Sequence, residues 1–155
     1  MSLSSGYLTS KQTLIWDLKS RGMPEASIAK KLKVTRQSIH KAVGAASKKV
    51  CTSLEEAAEI NRIEVERVDP VKGFLMGYSS HFKTKAFITF SAKNGVQVWY
   101  KHEGNCEKCK KLETCRGMLL TEAEDRNFLL PEGVRSMLPS QLAEALFSRI
   151  GGKEE

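Results

Sequence analysis

The stretch Ala26-Ser27-Ile28-Ala29-Lys30-Lys31-Leu32-Lys33-Val34-Thr35-Arg36-Gln37-Ser38-Ile39 places apolar side chains at Ile28, Ala29 and Leu32, then resumes at Ile39 after a polar interval. That spacing predicts a short helix of about two turns, for which Pro24 suits the first position. Lys33 and Val34 make a turn, and Thr35 is a good N-cap for the next helix. In that helix Ile39 and Val43, four apart, face inward and leave Arg36, Gln37, His40 and Lys41 facing out. Upstream, Leu14, Ile15 and Leu18 form the apolar stripe of a helix over Ser10 to Arg21, with Gly22 to end it. Three short helices with a tight turn between the last two are a helix-turn-helix layout, whose final helix enters the DNA major groove.

The segment Ala26 to Ile39 resembles the helix-turn-helix of sigma-factor-like and archaeal Tfx-type transcription regulators. Ala29 matches the small residue where the two helices touch, and Leu32, Val34 and Ile39 match core positions. Lys33 departs from the glycine that many members carry there to permit a left-handed backbone, a conformation lysine can adopt at a modest cost. The resemblance covers about a third of the chain and implies sequence-specific DNA binding. Side-chain chemistry agrees with it, since Arg pairs bidentately with guanine and Gln with adenine, while lysines reach phosphates. Arg36, Gln37 and His40 are the expected base readers. Lys30, Lys31, Lys41, Lys48 and Lys49 are the expected phosphate contacts. A three-helix bundle used for protein contacts is the competing reading of the same pattern.

Charge is distributed to match. The 155-residue chain has a net charge of +7, yet residues 1–50 carry ten Lys or Arg against Asp17 and Glu25, a balance of +8. The remaining 105 residues sit at −1, with 15 basic and 16 acidic side chains. A basic head on a near-neutral body fits a polyanion-binding protein. Hydrophobic residues at 41% and charged residues at 28% exclude collagenous and disordered classes. With no run of 18 apolar residues and no signal-peptide pattern, the expectation is a soluble, cytoplasmic protein.

Beyond the head, Ser53 precedes Glu55-Glu56, and Leu54, Ala57, Ala58, Ile60, Ile63, Val65 and Val68 follow, which predicts a connecting helix over residues 51–70. Heptad spacing through Val43, Val50 and Ala57 leaves a coiled coil open, although Asn61 and Glu64 interrupt the seam. From Gly73 the period changes to two. Phe74 to Tyr78, Ala86 to Phe90 and Val96 to Tyr100 read as about three antiparallel strands, with a hairpin at Lys93-Asn94-Gly95. Phe74, Phe87, Phe90, Trp99 and Tyr100 are expected chiefly as core, with a ligand pocket as the alternative.

Cys106, Cys109 and Cys115 then crowd into ten residues, in the order His-x3-Cys-x2-Cys-x5-Cys that starts at His102. A two-residue gap lets one turn bring two thiolates to a single ion, and Cys115 adds a third sulfur. The chain thus carries a candidate metal centre of Cys106, Cys109, Cys115 and His102, either zinc or, by a similar spacing, iron-sulfur. Cys51, His81 or another subunit are alternative fourth ligands, and free or reversibly oxidised thiols are the alternative to a metal. After the cluster, Thr121 and Glu124 form a capping-box pattern for a short helix through Leu130, and a last helix follows Pro139.

These features predict an α+β protein with a helix-turn-helix domain over 1–50, a connecting helix over 51–70 and a sheet-plus-helix domain over 71–155. The expected function is a DNA-binding transcription regulator with a metal-binding or redox-sensing cysteine cluster, acting as a homodimer on double-stranded DNA. The competing class is an iron-sulfur or zinc metalloprotein, for electron transfer or catalysis, with an accessory nucleic-acid-binding head. No catalytic triad, phosphate-binding glycine loop or dinucleotide fingerprint is present, so no enzyme is expected.

Overall fold

The computed structural model describes residues 8–101, 105–130 and 132–151. Within them the chain is α+β, with five α-helices and a four-stranded antiparallel sheet. Helix α1 spans Ser10–Ser20, α2 Glu25–Leu32 and α3 Arg36–Ile60. Thr9 opens α1 with a reciprocal capping box to Gln12, and Gly22 follows its end at φ +90°. The turn between α2 and α3 forms as the sequence predicts. Lys33 is left-handed at φ 56° and ψ 43°, and the Thr35 hydroxyl accepts from the Ser38 amide at 3.1 Å. Ile15, Leu18, Ile28, Ala29, Ile39 and Val43 pack together between the three helices.

The connecting helix expected over residues 51–70 is not a separate element. Helix α3 runs unbroken to Ile60, because Ala46, Val50, Leu54 and Ala58 prolong its buried stripe past residue 50 with no proline or buried glycine to stop it. Asn61 caps it, and Arg62 turns the chain through a left-handed conformation at φ 55°. Residues Ile63–Asp69 are then strand β1, an edge strand whose charged Glu64, Glu66 and Arg67 are exposed. The apolar seam through Val43 and Val50 faces the chain's own head and sheet.

The sheet has four strands where three were expected. β2 (Phe74–Ser79), β3 (Thr84–Ser91) and β4 (Gly95–Tyr100) follow β1 in sequence order as a meander. Lys93-Asn94 lies in the tight β3–β4 connection, as the hairpin signal predicts. Alternation sends Leu75, Ala86, Ile88 and Phe90 to one face, where they pack with Trp16 of α1 and with Ala46, Val50, Leu54 and Ala58 of α3. The opposite face carries Phe74, Met76, Phe87 and Trp99 against α4 (Leu112–Asp125) and α5 (Pro139–Ile150). The sheet is therefore a middle layer between α3 and the C-terminal helices.

Gly73 is required where the first layer meets the sheet. Its φ is +63°, and a Cβ there would stand 2.4 Å from the Phe90 carbonyl oxygen and 2.9 Å from the Trp16 ring. The short helix expected to open at Thr121 is also corrected. α4 starts at Leu112, since Leu112, Cys115, Leu119 and Ala123 make one inward stripe, and Thr121 lies inside it with its hydroxyl donating to the Gly117 carbonyl at 2.9 Å. The final helix begins at Pro139 as expected.

Candidate nucleic-acid interface and thiol-lined cavity

Arg36 and Gln37 occupy the first turn of α3, and both are exposed. Gln37, Lys41, Gly44 and Lys48 follow one another at spacings of four, three and four, a stripe on the side of α3 opposite buried Ile39, Val43, Ala46 and Val50. Lys48 stands about 18 Å along the helix from Arg36 at the rise of an α-helix. Lys30 and Lys31, in the last turn of α2, are exposed beside that first turn. The structure thus leaves Arg36, Gln37, Lys41, Lys30, Lys31 and Lys48 open to solvent.

Two expected contacts are engaged within the head. His40 is exposed, but its Nδ1 lies 3.0 Å from Glu25 Oε2, which ties α3 to the first turn of α2 and leaves Nε2 outward. Lys49 is half-buried and donates to Gln12 Oε1 at 2.9 Å, bracing the start of α1 against α3. The two acids of the head are themselves covered by cations. Asp17 pairs with Arg21 at 3.2 Å, and Glu25 has Lys19 at 4.0 Å as well as His40. Neither acid of the head is therefore paired with the outward stripe of α3.

The cysteine cluster lies on the other side of the sheet. Asn105 caps a single 3-10 turn over Cys106–Lys108, with its side chain accepting from the Glu107 amide at 3.1 Å. Cys109 follows, and Cys115 sits in the first turns of α4, its amide bonded to the Lys111 carbonyl at 2.9 Å. All three are free thiols, with Cys109 exposed and Cys106 and Cys115 half-buried. They line one wall of a cavity of about 630 Å³ between the sheet and α4–α5. Among the described residues no three His, Cys, Asp or Glu side chains are gathered closely enough to hold a metal ion. His102, the nearest expected fourth ligand, lies outside the described residues. Cys51 is on α3, across the sheet from the cluster, where its Sγ donates to Glu55 Oε1 at 3.6 Å. Burial, reinforced by the Glu55 carboxylate, pushes the Cys51 thiol above its ordinary pKa.

The cavity is the feature that the sequence reading underweighted. Phe74, Phe87 and Trp99 do line it, while Phe90 turns to the opposite face and packs edge-on to Trp16 at 4.9 Å between centroids. Phe147 of α5 completes the wall, 4.8 Å from Phe87 and 5.9 Å from Trp99. The alternating run Lys85, Phe87, Thr89 on β3, with Trp99 and Lys101 beyond it, is the sequence signal from which one shared face can be read.

Beside the cavity, α4 carries a buried ionic cluster. Glu122 is fully buried and Arg126 nearly so, with Arg126 Nη2 3.3 Å from Glu122 Oε2. The same nitrogen donates to the Gly73 and Phe90 carbonyls at 3.1 Å each, tying α4 to two strands. Glu122 Oε1 accepts from Asn94 at 3.1 Å and from Thr89 at 3.4 Å. Burial raises the Glu122 carboxyl despite opposing help from Arg126, and burial likewise lowers Arg126. No helix among the described residues is long and apolar enough to cross a membrane. In comparisons with known proteins, the chain matches no family model, no curated protein and no solved structure.

Proposed function

We propose that the chain is a sequence-specific DNA-binding transcription regulator, with α1–α3 as a helix-turn-helix head that inserts the first turns of α3 into the major groove. The observation that carries this reading is the outward stripe of α3. It presents Gln37, Lys41 and Lys48, with Arg36 exposed in the first turn and Lys30 and Lys31 next to it, in a head whose two acids are already paired. Arg36 and Gln37 read base edges, the lysines hold phosphates, and His40 supports the pose through Glu25 while offering Nε2 to the groove. Lys49 contributes to packing. A homodimer presents two such heads to paired half-sites.

In the same reading the body carries the regulatory chemistry. Free thiols at accessible positions favour reversible oxidation of Cys106, Cys109 and Cys115. A zinc or iron-sulfur centre at the cluster requires these thiols to be drawn together with a fourth ligand such as His102. Metal content and the absorption spectrum of anaerobically purified protein decide between the two forms.

The test of DNA recognition uses the full chain and a duplex selected from a random pool. Arg36→Ala should relax sequence preference at a cost of about 1 to 3 kcal/mol on the selected site, and Lys31→Ala should weaken all sequences alike. Equal losses on selected and random duplexes for both variants would overturn the assignment of the reading face.

A further inference from the structure

We propose that the cavity between the sheet and α4–α5 binds a planar, apolar quinone against its aromatic side chains and presents Cys115 to add to the ring. The inference does not rest on the DNA-binding reading, and its test needs no DNA. At about 630 Å³ the cavity falls within the range of sites that enclose small organic ligands.

The aromatic side chains form one cluster. Ring centroids are 5.9 Å apart for Phe74 and Phe87 and 4.8 Å apart for Phe87 and Phe147, each pair at 22° between planes. Trp99 joins them 5.9 Å from Phe147, and its one polar atom is used internally, Nε1 donating to Thr89 Oγ1 at 2.9 Å. Such a surface holds another planar ring by offset or edge contacts and gives a charged or strongly hydrated group no partner. The part of the ligand that meets it is therefore flat and apolar.

The thiols supply the second half of the argument. Cys106, Cys109 and Cys115, all free, line the same cavity as those rings. Cys115 differs from the other two in how it is held. It lies within α4 on the inward stripe of Leu112 and Leu119, both of which also line the cavity, and Leu119 packs with Phe74 and Phe147. A helix thus carries this thiol on the stripe that reaches the aromatic cluster, whereas Cys109 is exposed on the connection leading into α4. A thiolate is a soft nucleophile toward electron-poor carbon. An inert hydrocarbon would fill the cavity without using the thiols, and a strongly polar electrophile would find no partner on the rings. A quinone matches both.

The reaction is an addition that needs no separate oxidant. The Cys115 thiol gives its proton to water, and the thiolate forms a C–S bond to an unsubstituted ring carbon. The C=C π bond there breaks, and its electron pair moves onto the conjugated carbonyl oxygen, which takes a proton from water. Tautomerisation moves the hydrogen of the attacked carbon to the second oxygen. The product is a thioether-linked hydroquinone that contains every atom of thiol and quinone.

The experiment is anaerobic labelling of the reduced full chain with menadione and, in parallel, with iodoacetamide, each cysteine being followed by peptide mass spectrometry. Plain accessibility puts exposed Cys109 first, and iodoacetamide, which has no ring to bind, should follow that order. Menadione should reverse it, adding to Cys115 at least about tenfold faster than to Cys109, because binding places the ring at the thiol before reaction. The rate at Cys115 should saturate with menadione concentration. The non-electrophilic 2-naphthol should slow it competitively and, in a proton–nitrogen correlation spectrum, move the Trp99 indole signal but not that of Trp16. Cys115→Ser should keep that shift and lose the fast adduct. If Cys115→Ser does not fold, the labelling order and the indole signals of the unsubstituted chain still decide. Menadione reacting first at Cys109, a rate at Cys115 that never saturates, no shift at Trp99, or a disulfide in place of the adduct would each overturn the proposal.

Discussion

Gly44 stands on the outward stripe of α3, in the middle of a 25-residue helix, and a Cβ placed on it meets nothing within 4 Å among the described residues. Glycine inside a helix costs about 1 kcal/mol relative to alanine, and no neighbour among the described residues accounts for that cost. Gly44→Ala should therefore raise unfolding stability by about 0.8 to 1 kcal/mol in urea titrations. The same methyl group should weaken DNA binding if this stripe lies in the groove, so a gain in both stability and affinity would count against the proposed docking. Glu122 makes the opposite case, because its burial is visible only in three dimensions. Its folded carboxyl is raised above the unfolded value, so between about pH 4.3, the unfolded reference, and the raised folded value the native state binds more protons. Stability should consequently fall as pH rises through that window, and Glu122→Gln should flatten the decline. Glu122→Ala should cost about 3 to 5 kcal/mol by stranding Arg126, and adding Arg126→Met should restore much of the loss. In a thermodynamic cycle, simple additivity of the two substitutions would refute this coupling.

At the level of elements, the turn between α2 and α3 was legible because its signals are local. Thr35 caps with its own side chain, and the apolar residues on either side repeat at helical spacing. Lys33 pays for its left-handed backbone with Cβ crowding, so Lys33→Gly should stabilise the head by about 0.5 to 1 kcal/mol as read from thermal melts. No change, or a loss, would show that lysine's aliphatic stem compensates. Strand β1 was misread for a physical reason. Ile63, Val65 and Val68 fit either period, and the charged residues of an edge strand imitate the polar face of a helix. The deciding event, the left-handed turn at Arg62, is invisible in a residue that rarely adopts it. The beginning of α4 was obscured in the same way, since a segment crowded with cysteine, lysine and a mid-helix Gly117 has the composition of a loop. The cavity depends on Phe147 of α5 closing over strands more than forty residues earlier, a pairing that spacing cannot reveal.

Across the whole molecule, the proposed DNA binding makes the basic excess of the first 50 residues the source of a salt response. If six phosphates are neutralised by the exposed Arg and Lys, affinity should fall by about 10³ between 50 and 200 mM salt, and a flat response in filter binding would rule out the basic head as the contact. The path of α3 carries a separate consequence. Its first half is packed into the head, and its second half into the sheet. Trp16 reaches from α1 into the sheet's core and donates from Nε1 to the Pro70 carbonyl at 2.9 Å, while Arg21 meets Asp125 of α4 at 3.5 Å. Cutting after residue 50 would strip Trp16, Ala46 and Val50 of their cover. A fragment of residues 1–50 should not hold its fold, and the intact chain should melt in a single endotherm whose calorimetric and van't Hoff enthalpies agree. Two resolved endotherms would show independent units. A different head grafted onto this body would have to supply the side chains that Trp16, Ala46 and Val50 contribute to the core shared with the sheet. Under the proposed reading, binding preference is altered by substitution along the outward stripe of α3, where side chains are exposed and the buried stripe that both halves share is left intact.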